Sequence, residues 1–298
     1  MKIVQGDEQP INDARNVRTG DLKKQYILTG EEGSLGNFVF GLYYQTGDFY
    51  SPRHKHNFCQ WRYQISGDCS FDKNGKMTPG ILGFFPEGAH YGPQTSDEPN
   101  VVALIQFGGP SGSGYMSQNQ VYKAFDGLKE FGHVDKGVFY RNEGVPGKKA
   151  VDSFQATWEL ANGRPMVYPK AQYADPLLMD TNNYRWMPLD GVPGVEMKSF
   201  GTFTDCKMRS ASYKLDPGAK LTATGRGIYF VLSGKGTLEG GPFRTYTAIL
   251  LEAGESATFT ASETSEIMLF GLTDVSRIRT PLPHDIDTAE AEEELAEA

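Results

Sequence analysis

Short stretches in which apolar and aromatic residues recur, broken by Gly, Pro, Asn or Asp, dominate this chain. Residues 37–44 (NFVFGLYY) are aromatic and β-prone, and put Phe38, Phe40, Leu42 and Tyr44 on one strand face. The pattern predicts strands over 26–29, 37–44, 58–65, 69–72, 80–85 and 101–107, with an Asn-Gly hairpin signal at 74–75. The period then changes. Val121, Phe125 and Leu128 recur at helical spacing over 117–131, with Ser117 as N-cap and Gly132 as stop. A second helix is predicted over 152–162, with Phe154, Trp158 and Ala161 on one side. Strands return at 195–203, 209–215, 227–232, 236–239, 247–251, 256–260 and 266–272. Many short strands at turn-separated intervals mean an all-β sandwich or barrel. The expected organisation is a first β domain over 1–115, a helical and irregular connector over 116–185, a second β domain over 186–280 and a solvated acidic tail over 281–298.

Composition narrows the function classes. The chain has 298 residues, enough for one large or two ordinary domains, and a formal net charge of −8. An acidic chain opposes nucleic acid and anionic membrane as partners, because both need a basic surface. No run of about 20 apolar residues is present, so no membrane helix is expected. The first residues (MKIVQGDE) lack the apolar region of a secretory signal, so a cytoplasmic location is expected. The cysteines, Cys59, Cys69 and Cys206, are odd in number and form no C-x2-C pair; reduced thiols are expected and a structural zinc site is not.

The candidate chemistry lies between Gly47 and Gln94. His54, His56 and Gln60 share one face if the strand is regular, and His90 follows later. Three imidazoles and an amide oxygen can hold a divalent metal with coordination positions open. Half-buried structural histidines are the plain alternative, although three of the chain's five histidines lie here. Gln60 would serve either as a ligand or as the hydrogen-bond partner of a metal-bound water. Arg62 has the same parity and points inward, which requires a partner: a substrate carboxylate or phenolate, or a barrel carboxylate. Tyr44, Tyr50 and Tyr91 would line the pocket and donate protons, or belong to core and rim. Cys59 has the opposite parity and reads as a small buried apolar residue. Fingerprints of serine hydrolases, P-loops and dinucleotide sites are absent.

These residues carry a family resemblance. Gly47…His54-x-His56-x3-Gln60-x6-Gly67 resembles the first motif of the cupin superfamily, G-x5-H-x-H-x3,4-E-x6-G. Gly80-x5-Pro86-x-Gly88-x-His90-x3-Gln94 resembles the second, G-x5-P-x-G-x2-H-x3-N. Six residues, not five, separate Gly47 from His54, one residue is missing between Gly88 and His90, and Gln60 and Gln94 stand at the Glu and Asn positions. Residues 217–256 repeat the plan, with Leu221, Ala223, Gly227 and Ser256 where the first unit has His54, His56, Gln60 and His90. The chain thus resembles a bicupin, two jelly-roll-like double-stranded β-helix barrels, of which only the first keeps metal ligands. The resemblance implies a divalent metal, Fe(II) first and Mn, Ni, Zn or Cu as alternatives. It also implies a small-molecule substrate and a homodimer. The implied activity is a non-haem Fe(II) dioxygenase acting on a small aromatic or diketone-like compound. The alternatives are a metal-dependent isomerase or lyase and a non-catalytic ligand-binding cupin.

Overall fold

A computed structural model describes residues 1–13, 20–73 and 75–279. Asn74 of the expected turn and the acidic tail lie outside the described residues. The chain forms two compact units, described separately below. One comprises Asn12–Lys24 and Gly30–Leu178, the other Met1–Ile11, Gln25–Thr29 and Met179–Ile278.

In the unit of Gly30–Leu178, the strands Ile81–Phe85, Cys59–Ser66, Asn100–Phe107 and Phe38–Gln45 lie side by side, all antiparallel. Register decides which side chains share a face, because directly opposed residues point the same way. Trp61 opposes Phe84 and Ile105, and Ile105 opposes Phe40. These four side chains are fully buried, as are Leu42, Cys59, Leu82 and Ala103. This face is a dense apolar layer that contains the predicted row Phe38, Phe40 and Leu42. The other face carries Gln60, Arg62 and Gln64, opposed by Gln106, Leu104 and Val102. Tyr43 and Gln45 of the next strand extend it. One sheet therefore has a packed apolar side and a polar side, and the polar side faces a cavity. The register shift between Val101 and Val102 is a bulge just beyond Gln64, where this polar row ends.

Both predicted helices form. Gln118–Gly127 is closed by a capping box between Ser117 and Gln120. It ends in a 3-10 turn, Leu128–Glu130. Gly132 is not a helix stop but the first residue of an unforeseen antiparallel meander, Gly132–Asp135, Val138–Arg141 and Ala150–Asp152. These strands are only three or four residues long, too short for their alternation to stand out in the sequence. Ser153–Asn162 is capped by the Asp152 carboxylate and ends at Gly163 in the left-handed region, φ 63°. Trp158 packs with Val121, Met166 and Tyr168, with Phe154 alongside. Ala161 is exposed, contrary to expectation, because Ala156 instead turns into a second cluster with Phe139 and Val151.

The unit of Met179–Ile278 has a sheet in which Thr247–Leu251, Gly227–Ser233, Ser265–Gly271, Arg209–Leu215 and Val195–Thr202 are adjacent, and a second sheet of Lys220–Thr224, Ser256–Ala261, Lys235–Leu238 and Gly241–Arg244. Lys220–Thr224 and Gly241–Arg244 are additional to the predicted strands. Lys2–Gln5 pairs antiparallel with Thr247–Leu251, at the edge of the first sheet. The first eleven residues thus count with this unit, although the sequence pattern groups them with the first β domain. Between the sheets lies a solid apolar core. Leu221 and Ala223 are buried in it beside Tyr229, Phe243 and Phe259. Ala257 is also in this core, whereas Ser256 is exposed. The inward residue after Gly254 is therefore one position later than the motif count places it.

Candidate functional site

The polar face of the Gly30–Leu178 sheet is the floor of a cavity of about 150 Å³. Arg62, Gln64, Tyr43 and Gln45 line it from the sheet, and Tyr122 and Phe154 from the helices. His54, His56 and Tyr91 complete it from two irregular segments. Their placement is a main-chain matter. The His54 N–H donates to the Tyr91 carbonyl and the Tyr91 N–H to that of His54, both at 2.9 Å. The two residues are thus a directly opposed antiparallel pair, with side chains on one face. Gly88 N–H donates to the His56 carbonyl at 2.8 Å and fixes the next step. Gly88 has φ 78°, and a Cβ there would meet the Pro169 carbonyl oxygen at 2.2 Å, so only glycine serves.

Ring centroids lie 4.8 Å apart for His54 and His56, 4.4 Å for His54 and Tyr91, and 5.9 Å for His56 and Tyr91. His56 stacks on Phe58 at 4.3 Å and meets the edge of Phe154 at 4.9 Å. His54 Nδ1 lies 2.6 Å from the Pro52 carbonyl oxygen. A carbonyl only accepts, so Nδ1 carries the proton and the ring lone pair is on Nε2. Lys55, between the two histidines, turns away and lies over the Tyr168 ring at 4.4 Å.

Gln60 stands behind Tyr91. Its Nε2 donates to the Tyr91 hydroxyl at 2.7 Å, and its Oε1 accepts from Arg62 Nη2 at 2.8 Å and Nε at 3.1 Å. Arg62 Nη2 also donates to the Tyr91 hydroxyl, at 3.2 Å. The guanidinium lies over Phe85 at 4.3 Å. It has room there because the residue opposite Arg62 is Gly83, where a Cβ would come within 2.7 Å of the Phe85 ring. Gln60 therefore holds Arg62 and Tyr91 together, and its amide oxygen is taken up by a cation.

Of the residues expected at the site, the structure brings together His54, His56, Gln60, Arg62 and Tyr91. His90 is half-buried and does not line the cavity, nor does Tyr44, whose parity puts it on the other face of its strand. Among the described residues, no three His, Cys, Asp or Glu side chains form a metal-holding group. Tyr91 occupies the place at which the sequence expectation set His90. Sequence reasoning missed Tyr43, Gln45, Lys24 and Phe154. Burial holds the Tyr43 phenol well above its ordinary pKa, so it stays protonated and can donate to a ligand. Burial also pushes the Cys69 thiol at the cavity wall up to about 11, which leaves it neutral and unreactive. All three cysteines are free and buried, as expected.

Glu87 lies one residue before Gly88. It is buried, and its carboxylate accepts from the Ser111 N–H and hydroxyl, both at 2.7 Å. Burial raises it from 4.5 to about 7, with the Ser111 bonds opposing in part. A carboxyl that holds its proton more tightly when folded makes stability fall as pH rises from 4.5 to 7, and remain level above. Glu87→Gln is expected to flatten that decline, as checked by urea unfolding at a series of pH values.

No family model matches the sequence, and no curated protein does. Solved structures do match. A dioxygenase candidate from Nostoc punctiforme is 10% identical with a TM-score of 0.59, over 94% of this chain and 85% of that one. An oxalate decarboxylase variant from Bacillus subtilis is 14% identical with a TM-score of 0.53, over 91% and 77%. Vicilin from hazelnut is 11% identical with a TM-score of 0.50, over 92% and 85%. Proteins of such different description on one architecture show that the likeness is one of fold. No helix among the described residues is long and apolar enough to cross a membrane. The chain therefore shares the fold of two cupin-like barrels, with an aromatic and basic cavity in the Gly30–Leu178 unit and a solid apolar core in the Met179–Ile278 unit.

Proposed function

We propose that the Gly30–Leu178 barrel is a metal-dependent active site for a small organic molecule, with His54, His56 and the Tyr91 hydroxyl as its donors. The observation that carries this reading is the main-chain pairing of His54 with Tyr91, which brings the His54, His56 and Tyr91 rings together at the cavity wall, with centroids 4.8, 4.4 and 5.9 Å apart. Three protein donors are the usual number at a catalytic metal with open positions. The His54 tautomer supports it, because an imidazole whose Nδ1–H is tied to a carbonyl presents Nε2. Imidazole suits Fe, Zn, Cu and Ni, and tyrosine oxygen is a known iron ligand. A bound divalent ion would polarise a substrate oxygen, and iron would add O2 chemistry.

The protein's own groups do the rest. Gln60 fixes the Tyr91 oxygen and the Arg62 fork in one geometry. Arg62 presents its remaining N–H groups to the cavity. Tyr43 offers a phenolic proton to a substrate oxygen, and Phe58 and Phe154 keep water from the histidines. The finer reading is an Fe(II) dioxygenase acting on a small aromatic or diketone-like compound. Protein purified without added metal is expected to contain iron and to consume O2 with a catechol or a 1,3-diketone. Turnover that persists under strict anaerobiosis would overturn the dioxygenase and leave an isomerase or lyase.

A further inference from the structure

The charge inventory of the cavity is one-sided. Lys24 and Arg62 both line it, and among the described residues no Asp or Glu does. The chain has 37 acidic residues against 29 Lys and Arg, so this is not a shortage of acids. Among the described residues neither cation has an ion-pair partner. Lys24 is half-buried and lies over the Tyr43 ring at 5.4 Å. Arg62 is held by an amide oxygen and a phenol oxygen. Two desolvated cations without a counter-ion are costly to keep in a folded protein. Tyr43 links them, since it lies under Lys24 and also feels the charge of Arg62.

We infer that Lys24 and Arg62 form the anion-binding part of the cavity, and that its ligand is a hydroxylated aromatic carboxylate. Three observations fix that class. The volume, about 150 Å³, is that of a cavity that takes a benzene ring. The walls are aromatic: Phe49, Phe58, Tyr115, Tyr122 and Phe154. Gln45 Oε1 is buried at the cavity without a hydrogen-bond donor among the described residues, and a ring hydroxyl would supply one. The inference deepens the reading above by naming a substrate class. It stands on the cations and the cavity alone and requires no metal.

The test compares acids with their neutral amides on the full chain as purified. 4-Hydroxybenzoate and trans-4-hydroxycinnamate are titrated by calorimetry against 4-hydroxybenzamide and 4-hydroxycinnamamide. The acids are expected to bind at least about tenfold tighter, since only they make a charge-assisted contact with the cations. Lys24→Met is expected to erase most of that preference, and Lys24→Arg to retain it. Burial holds Lys24 at about 8 instead of 10.5, so wild-type affinity for the acids should fall as pH rises through 8, whereas that of Lys24→Arg should not. A lysine with a depressed folded pKa makes the ligand-free protein gain stability between pH 8 and 10.5, a gain that Lys24→Met should lack. Binding of neither acid, equal binding of acids and amides, or an unaltered preference in Lys24→Met would each overturn the inference. Metal content, measured on the same samples, reports separately on the histidine–tyrosine centre.

Discussion

A His54→Ala/His56→Ala double variant is expected to retain no metal, where the wild type keeps metal through gel filtration. Loss of even a supporting contact at a metal centre lowers affinity about 10–100-fold, and this variant removes two of the three proposed donors. The barrel should survive the change. The bonds that set the His54 segment are made by its main chain with Tyr91, and alanine keeps them. The rings leave space beside Phe58 and Phe154, so a loss of stability in the range of other buried truncations, about 2–5 kcal/mol, is anticipated. Near-ultraviolet circular dichroism would show whether the aromatic wall holds. Tyr91→Phe gives the finer cut. It keeps the ring and deletes the oxygen that Gln60 and Arg62 both meet. A metal content that is unchanged in the double variant would refute the centre outright.

Phe259→Ala is expected to cost about 3–5 kcal/mol, the largest single-residue effect on stability anticipated in the second barrel. Phe259 is fully buried, with Phe243 at 5.5 Å and Tyr229 at 6.5 Å between ring centroids. It belongs to the same buried cluster as Leu221, Ala223 and Ala257. A chain of two units need not unfold in one step, so the effect is best read as lost hydrogen-exchange protection in Gly227–Ser233 and Ser265–Gly271. A loss below about 1 kcal/mol would mean that this interior is loosely filled.

The strands were legible where one period ran unbroken. Residues 209–215 and 247–251 were read with the bounds observed, Ser117 marked one helix start by its capping chemistry, and the second helix was placed within one residue of its observed start. The apolar interior of the second unit was legible as well, since Leu221 and Ala223 alternate with polar residues along their strand. Parity failed where the chain left regular strand. His90 and Tyr91 lie in an irregular segment, and only the backbone bonds with His54 decide which one faces the cavity. Ser256 and Ala257 show the same one-residue offset at the matching place. Tyr43 and Tyr44 posed another problem. In Phe38–Gln45 both faces are buried at first, so alternation cannot say which is the cavity side. Register against Val102 and Gln64 says it. Lys24 follows Lys23 in a polar stretch, and nothing local separates the half-buried lysine from the exposed one.

The pairing of Lys2–Gln5 with Thr247–Leu251 has a consequence in time. A ribosome makes the first of these strands well over two hundred residues before the second. Synthesis at about 5–20 residues per second puts at least ten seconds or so between them. During that interval Ile3 and Val4 have no native partner strand, and their edge is open to pairing with another nascent chain. The chain's start and its late strand therefore have to meet after most of the protein exists. Slowing synthesis between the two strands should therefore raise the fraction that aggregates, while leaving the stability of molecules already folded unchanged.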